Sequence, residues 1–120
     1  MILNLLIVAA GSAIGGMLRY LAAVGGKAYP APLPYWTLGV NLIGGFVIGA
    51  AAVTLTSSER TRLLVITGFC GGFTTFSAFS LETLELFREG AYAWAFANIL
   101  LNILLSVLAC WGGYALFSRS

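Results

Sequence analysis

A chain of 120 residues that is 60% hydrophobic and only 8% charged cannot cover the surface of a soluble domain, which takes about a quarter of its residues charged. Ten charged side chains and no histidine also leave little for acid–base or metal chemistry. The uncharged runs Met1–Leu18, Ala28–Ser58, Leu63–Leu81 and Gly90–Ser118 can each hold the roughly 20 apolar residues of a bilayer-crossing helix. The expected fold is an all-α integral membrane protein, one domain over residues 1–120, with four transmembrane helices at about 2–25, 34–56, 62–88 and 91–117.

The first span lacks the basic n-region of a secretory signal, and Ala22-Ala23 is a poor cleavage site. It is therefore expected to remain in the mature protein. Gly11 and Gly15 lie four apart, a spacing that lets helix backbones approach closely. Arg19 is expected to snorkel from the end of this span. The following stretch, "GGKAYPAPLP" (Gly25 to Pro34), gathers all three prolines with Lys27 and reads as a loop.

Span two places Thr37 one turn before Asn41 and carries a second small-residue pair, Gly45 and Gly49. "TSSERTR" (Thr56 to Arg62) closes it, with Ser57 or Ser58 available to cap the next helix.

Span three holds the unusual segment "GFCGGFTTFSAFSLE", residues 68–82. Gly68 and Gly72 form a third packing pair. Gly71-Gly72 followed by Thr74-Thr75 can interrupt the helix, and unwound backbone is tolerated in a membrane only where it is buried in protein or lines a cavity. Carbonyls freed at such a break can bind a cation, and two from each of two chains would give four oxygens near a dimer axis. Phe76 and Phe79, three apart, point the same way and offer positively polarised ring edges. Phe69 and Phe73 are expected to pack, as are the buried thiols Cys70 and Cys110. Glu82 is the first carboxylate of this span.

"REG" (Arg88 to Gly90) is a tight hairpin. In span four, Asn98, Asn102 and Ser106 recur every four residues and form one polar stripe. A single buried amide usually glues helices together. This stripe, with Asn41 and the span-three hydroxyls Thr75 and Ser77, favours a hydrated pathway instead. Donor groups without fixed negative charge suit an anion.

Lys and Arg are divided evenly. Arg60, Arg62 and Arg119 fall on one side of the membrane; Arg19, Lys27 and Arg88 fall on the other. A membrane protein usually shows an excess on the cytoplasmic side. Either another factor orients the chain or it inserts both ways up, and the second case leads to an antiparallel dual-topology homodimer.

These residues resemble the Fluc fluoride channels, also called CrcB. The span-three motif carries the resemblance, with "WTLGVNLIGGFVIG" (Trp36 to Gly49) and "GSAIGGMLRY" (Gly11 to Tyr20), across all four spans in order. The resemblance implies a multi-pass protein of the bacterial inner membrane, a dual-topology homodimer in the lipid bilayer with two pores. It implies passive export of fluoride that relieves fluoride toxicity, and a structural Na+ held at the dimer centre by the main-chain carbonyls of Gly71 and Thr74. By the same resemblance Phe76 and Phe79 contact fluoride, Asn41 is the pore asparagine, and Arg19 matches an arginine at the end of span one. Arg19, Thr37 and Glu82 would serve as vestibule or structural groups. The chain departs from many members at Asn98 and Asn102, where Tyr and Ser are common, and at Ala78, where a hydroxyl is common.

Small multidrug exporters share the size and helix count, but resemble a pattern with a glutamate inside the first span, and Met1–Leu18 has none. An enzyme is not expected, and no nucleic-acid partner is expected.

Overall fold

A computed structural model describes residues 1–118. The chain is all-helical in the order α1 (Ile2–Lys27), α2 (Tyr35–Thr54), α3 (Glu59–Arg62), a π-helical segment (Leu63–Cys70), α4 (Gly71–Phe73), α5 (Phe76–Arg88) and α6 (Tyr92–Ser118). Among the described residues, four stretches are long and apolar enough to cross a membrane: Ile2–Lys27, Tyr35–Thr54, Glu59–Arg88 and Tyr92–Ser118. Along α6, Leu100, Leu104, Val107, Leu108 and Trp111 all face outward. A helix that is apolar on its outer face and only sparsely buried belongs in lipid.

The turns follow local chemistry. Ser58 caps α3, its Oγ accepting the Thr61 N–H at 3.2 Å. Arg62 Nη1 donates to the Leu55 carbonyl at 3.0 Å and to that of Ala52 at 3.4 Å, meeting the unsatisfied C-terminal carbonyls of α2. At the Arg88–Gly90 hairpin, Gly90 takes φ +79°. The Gly90 N–H bonds the Phe87 carbonyl and the Ala91 N–H that of Leu86, the Schellman pair that ends a helix.

Packing pairs α1 with the π-helical segment and α4, and α2 with α6. The glycine pairs make both seams possible. A Cβ on Gly15 would lie 2.3 Å from the Phe69 carbonyl oxygen, and one on Gly72 2.4 Å from that of Ser12. On the other seam a Cβ on Gly49 would lie 2.0 Å from the Cys110 carbonyl oxygen. Phe69 and Phe73 stack with centroids 5.4 Å apart.

Three features differ from the sequence reading. The third span is broken as expected, yet the glycines do not break it. Gly71 keeps helical angles (φ −62°, ψ −38°), whereas Thr74 (φ −77°, ψ 155°) and Thr75 (φ −147°, ψ 114°) are extended. Gly72 is spent on close approach to α1, and Thr75 becomes the N-cap of α5, its Oγ1 accepting the Ala78 N–H at 3.1 Å. Second, the π-helical run has no counterpart in the expectation. Third, Arg19 does not end its span or snorkel. The helix continues to Lys27, and Arg19 Nε turns inward to the Gly72 carbonyl at 2.9 Å. Arg119, one member of the even charge division, lies outside the described residues.

Candidate functional site at the helix break

The break opens onto a groove of about 650 Å³ between α2, the third span and α6, lined among others by Asn41, Gly71, Thr74, Phe76, Phe79 and Ser106. Among the described residues, none that is charged lines it. Its polarity comes from the interrupted backbone and from uncharged side chains.

In a continuous helix the Thr75 N–H would bond the Gly71 carbonyl four residues back. Here it donates to Asn41 Oδ1 at 2.9 Å. Asn41 Nδ2 returns a bond to the Thr75 carbonyl at 3.3 Å, so one carboxamide replaces the helical acceptor of the Thr75 N–H and adds a second donor to a carbonyl that already begins α5. The Gly72 carbonyl takes Arg19, and Cys70 O takes the Thr74 hydroxyl at 2.7 Å. The Gly71 carbonyl loses its usual donor, and Thr74, whose N–H still bonds the Cys70 carbonyl at 3.0 Å, turns extended. Below the break, α5 points its N-terminus at the groove through Thr75 and Phe76, presenting partial positive charge.

The span-four stripe meets Asn41. Asn41 Nδ2 donates to Asn102 Oδ1 at 3.1 Å. Asn102 Nδ2 donates to the Asn98 carbonyl and to Asn98 Oδ1, both at 2.9 Å. Asn98 is fully buried and donates to Thr83 Oγ1 at 2.9 Å. The carboxamides that the sequence offers as free donors are therefore already donating to one another. Ser106 keeps the opposite condition. Its Oγ is buried on the groove wall with no hydrogen-bond partner among the described residues.

Phe76 and Phe79 meet edge to face, centroids 5.4 Å apart at 62°. Phe79 is buried and Phe76 is 77% exposed, so one ring is fixed and its neighbour is open. Ser77 sits 3.3 Å from Thr75 Oγ1 and is exposed away from the groove lining. Thr37 is fully buried and donates to Glu82. Glu82 does not reach the groove. It lines a separate cavity of about 360 Å³ under the proline-rich loop, with Lys27, Trp36, Glu85 and Glu89.

Thus Asn41, Thr75, Phe76, Phe79, Asn102 and Ser106 meet in one place, joined by the carbonyl-bearing Gly71 and Thr74. Asn98 supports this group from behind, and Arg19, Thr37, Ser77 and Glu82 stand apart. Sequence reasoning missed Thr83. It lies fifteen residues from Asn98 and on another helix, although its own pattern, a hydroxyl one turn after Phe79, is visible in the chain.

A family model described as "CrcB-like protein, Camphor Resistance (CrcB)" matches residues 6–114. A protein of Serratia proteamaculans named fluoride-specific ion channel FluC is 46% identical over 107 residues, covering 86% of this chain and 84% of that protein. The same name is given to a Caulobacter vibrioides protein 44% identical over 116 residues, 92% of this chain and 91% of that one. It is also given to an Agrobacterium fabrum protein 41% identical over 119 residues, 95% of each.

Proposed function

This chain belongs to the CrcB-like family, and on that premise we propose that it is a fluoride-selective passive channel. The relatives are named as channels, and the protein is not an enzyme. The observation that carries the reading is the break at Thr74–Thr75 inside a membrane-capable span, opening on a groove lined by no carboxylate among the described residues.

Fluoride is small and strongly hydrated, so a path must replace part of its water with donors. Ser106 Oγ is unpartnered and supplies one. The edges of Phe76 and Phe79 supply weaker ones, and the N-terminus of α5 adds a field of the right sign. Asn41 and Asn102 border the path with amides whose protons are held by neighbours. Thr75 contributes the hydroxyl at the head of α5, with Ser77 beside it outside the groove lining, and Asn98 holds Asn102 in place.

The proposal extends to a structural sodium ion. The Gly71 and Thr74 carbonyls fit such an ion: Gly71 has lost its helical donor to Asn41, and Thr74 is extended. Among the described residues no cluster of His, Cys, Asp or Glu could hold a metal. Neutral hard oxygens favour a monovalent ion over calcium or magnesium. Bound there, the ion would neutralise main-chain oxygens and tie two copies together. Unfolding should then shift upward in sodium relative to choline.

The open groove and exposed Phe76 support a second copy as the other wall, in an antiparallel dual-topology homodimer. The physiological role is export of fluoride across the bacterial inner membrane, relieving its toxicity. Arg19, Thr37 and Glu82 act as structural or vestibule groups. The deciding experiment is efflux from liposomes containing the purified protein. Fluoride should leave and chloride should not, without a proton or sodium gradient; comparable chloride release would end the selectivity claim.

A further inference from the structure

We propose that Thr83, outside the groove, is a positioning residue that anchors the far end of the amide chain bordering it. This rests on the channel reading above. The bonds form one sequence in which each member donates to the next. Thr75 N–H donates to Asn41, Asn41 to Asn102, Asn102 to Asn98, Asn98 to Thr83, and the Thr83 hydroxyl to the Phe79 carbonyl. The chain thus leaves Thr75, the last residue of the break, and returns to α5 one turn later, having crossed α2 and α6.

A carboxamide can rotate to exchange its oxygen and nitrogen, so an amide chain has two possible senses. Backbone atoms decide here, at both ends and at the Asn98 carbonyl between them. A backbone N–H can only donate, so Thr75 demands an oxygen from Asn41. A backbone carbonyl can only accept, so Phe79 takes the Thr83 proton and leaves the hydroxyl oxygen to receive Asn98. Both ends impose the same sense. Along it, the two NH2 groups nearest the groove, on Asn41 and Asn102, have each committed both protons: to Thr75 O and Asn102, and to Asn98 twice. A passing anion therefore meets a fixed set of donors led by Ser106, rather than amides free to turn and hold it.

Without the Thr83 hydroxyl, Asn98 has no acceptor at the far end. Its amide can turn and withdraw Oδ1 from Asn102, which keeps only the Asn98 main-chain carbonyl as an acceptor, and the loosened Asn102 in turn holds Asn41 and the break less firmly. Thr83→Val preserves shape and removes the hydroxyl; Thr83→Ser retains it. Two readouts follow in the full-length protein in membranes. Amide hydrogen exchange at Thr75 should accelerate about tenfold in Thr83→Val, the scale of one lost hydrogen bond, and remain at the wild-type rate in Thr83→Ser. Fluoride efflux should slow about tenfold in the valine variant and not in the serine variant.

A packing role would raise exchange near position 83 and leave Thr75 alone. That pattern, or equal behaviour of serine and valine, overturns the proposal. Should valine prevent folding, Thr83→Ala is read in the same way. Exchange at Thr75 requires no fluoride, so it tests the amide chain even if the wild-type protein conducts none, an outcome that would sink the channel reading alone.

Discussion

Asn41 and Thr75, 34 residues apart, are joined by two hydrogen bonds at the helix break: Thr75 N–H to Asn41 Oδ1 at 2.9 Å and Asn41 Nδ2 to Thr75 O at 3.3 Å. A carboxamide can meet a donor and an acceptor together; a carboxylate cannot. Asn41→Asp keeps the acceptor, loses both donations and faces Asn102 Oδ1 with a second oxygen. We expect a loss of about 1–3 kcal/mol in stability. Fluoride efflux should fall about tenfold or more, since fixed negative charge in the groove repels the anion. Thermal unfolding and liposome efflux read the two effects separately.

The two phenylalanines should separate under the same replacement. Phe76 is largely exposed in the single chain, so Phe76→Ile should leave the fold of that chain intact. Phe79 is buried, and Phe79→Ile should cost about 1 kcal/mol for its change of shape. Both remove the positive ring edge and both should reduce fluoride flux. Full flux in both would assign these rings to packing.

Ser106 makes the reverse case. Its hydroxyl is buried without a partner, and removing an unsatisfied polar group is neutral or stabilising. Ser106→Ala should therefore unfold no earlier than the wild type while passing less fluoride. A variant that loses stability and keeps its flux would show that the hydroxyl has a structural partner instead.

The seam between α2 and α6 is tested by two alanines. Gly49→Ala would drive a Cβ to 2.0 Å from the Cys110 carbonyl oxygen, whereas Gly112 has nothing within 4 Å of that position. The first should cost about 1–3 kcal/mol or more through overpacking. The second should be neutral or slightly stabilising, because alanine is the better helix former. Denaturation of the two variants in the same detergent distinguishes them; equal midpoints would contradict the seam.

Much of this architecture can be read from the chain. Uncharged runs expose the spans because charge is costly in hydrocarbon, and Ser58 and Gly90 mark ends by their own chemistry. The glycine pairs announce close approach, but spacing cannot name the opposite wall; here it lies within the same chain, Gly15 against Phe69 and Gly49 against Cys110. The break was readable to within the Gly71–Thr75 segment, but not which of those residues would be extended, because that depends on the Asn41 contact that holds Thr75. Arg19 looked like an interfacial cation because its acceptor, the Gly72 carbonyl, lies 53 residues away. The commitment of the amide protons was also hidden. A sequence shows donors and leaves out the acceptors that folding brings to them.

The pairing of α1 with the third span and of α2 with α6 sets a condition on biosynthesis. Neither seam joins consecutive spans. Ser12 finds Gly68 only after another 56 residues have been made, an interval of roughly 3–11 s at ordinary elongation rates. During that interval the first two helices must rest in the bilayer with their glycine faces against lipid tails or insertion machinery. The nascent chain therefore cannot assemble hairpin by hairpin, and its α1 seam must wait for the third helix while its α2 seam waits for the fourth.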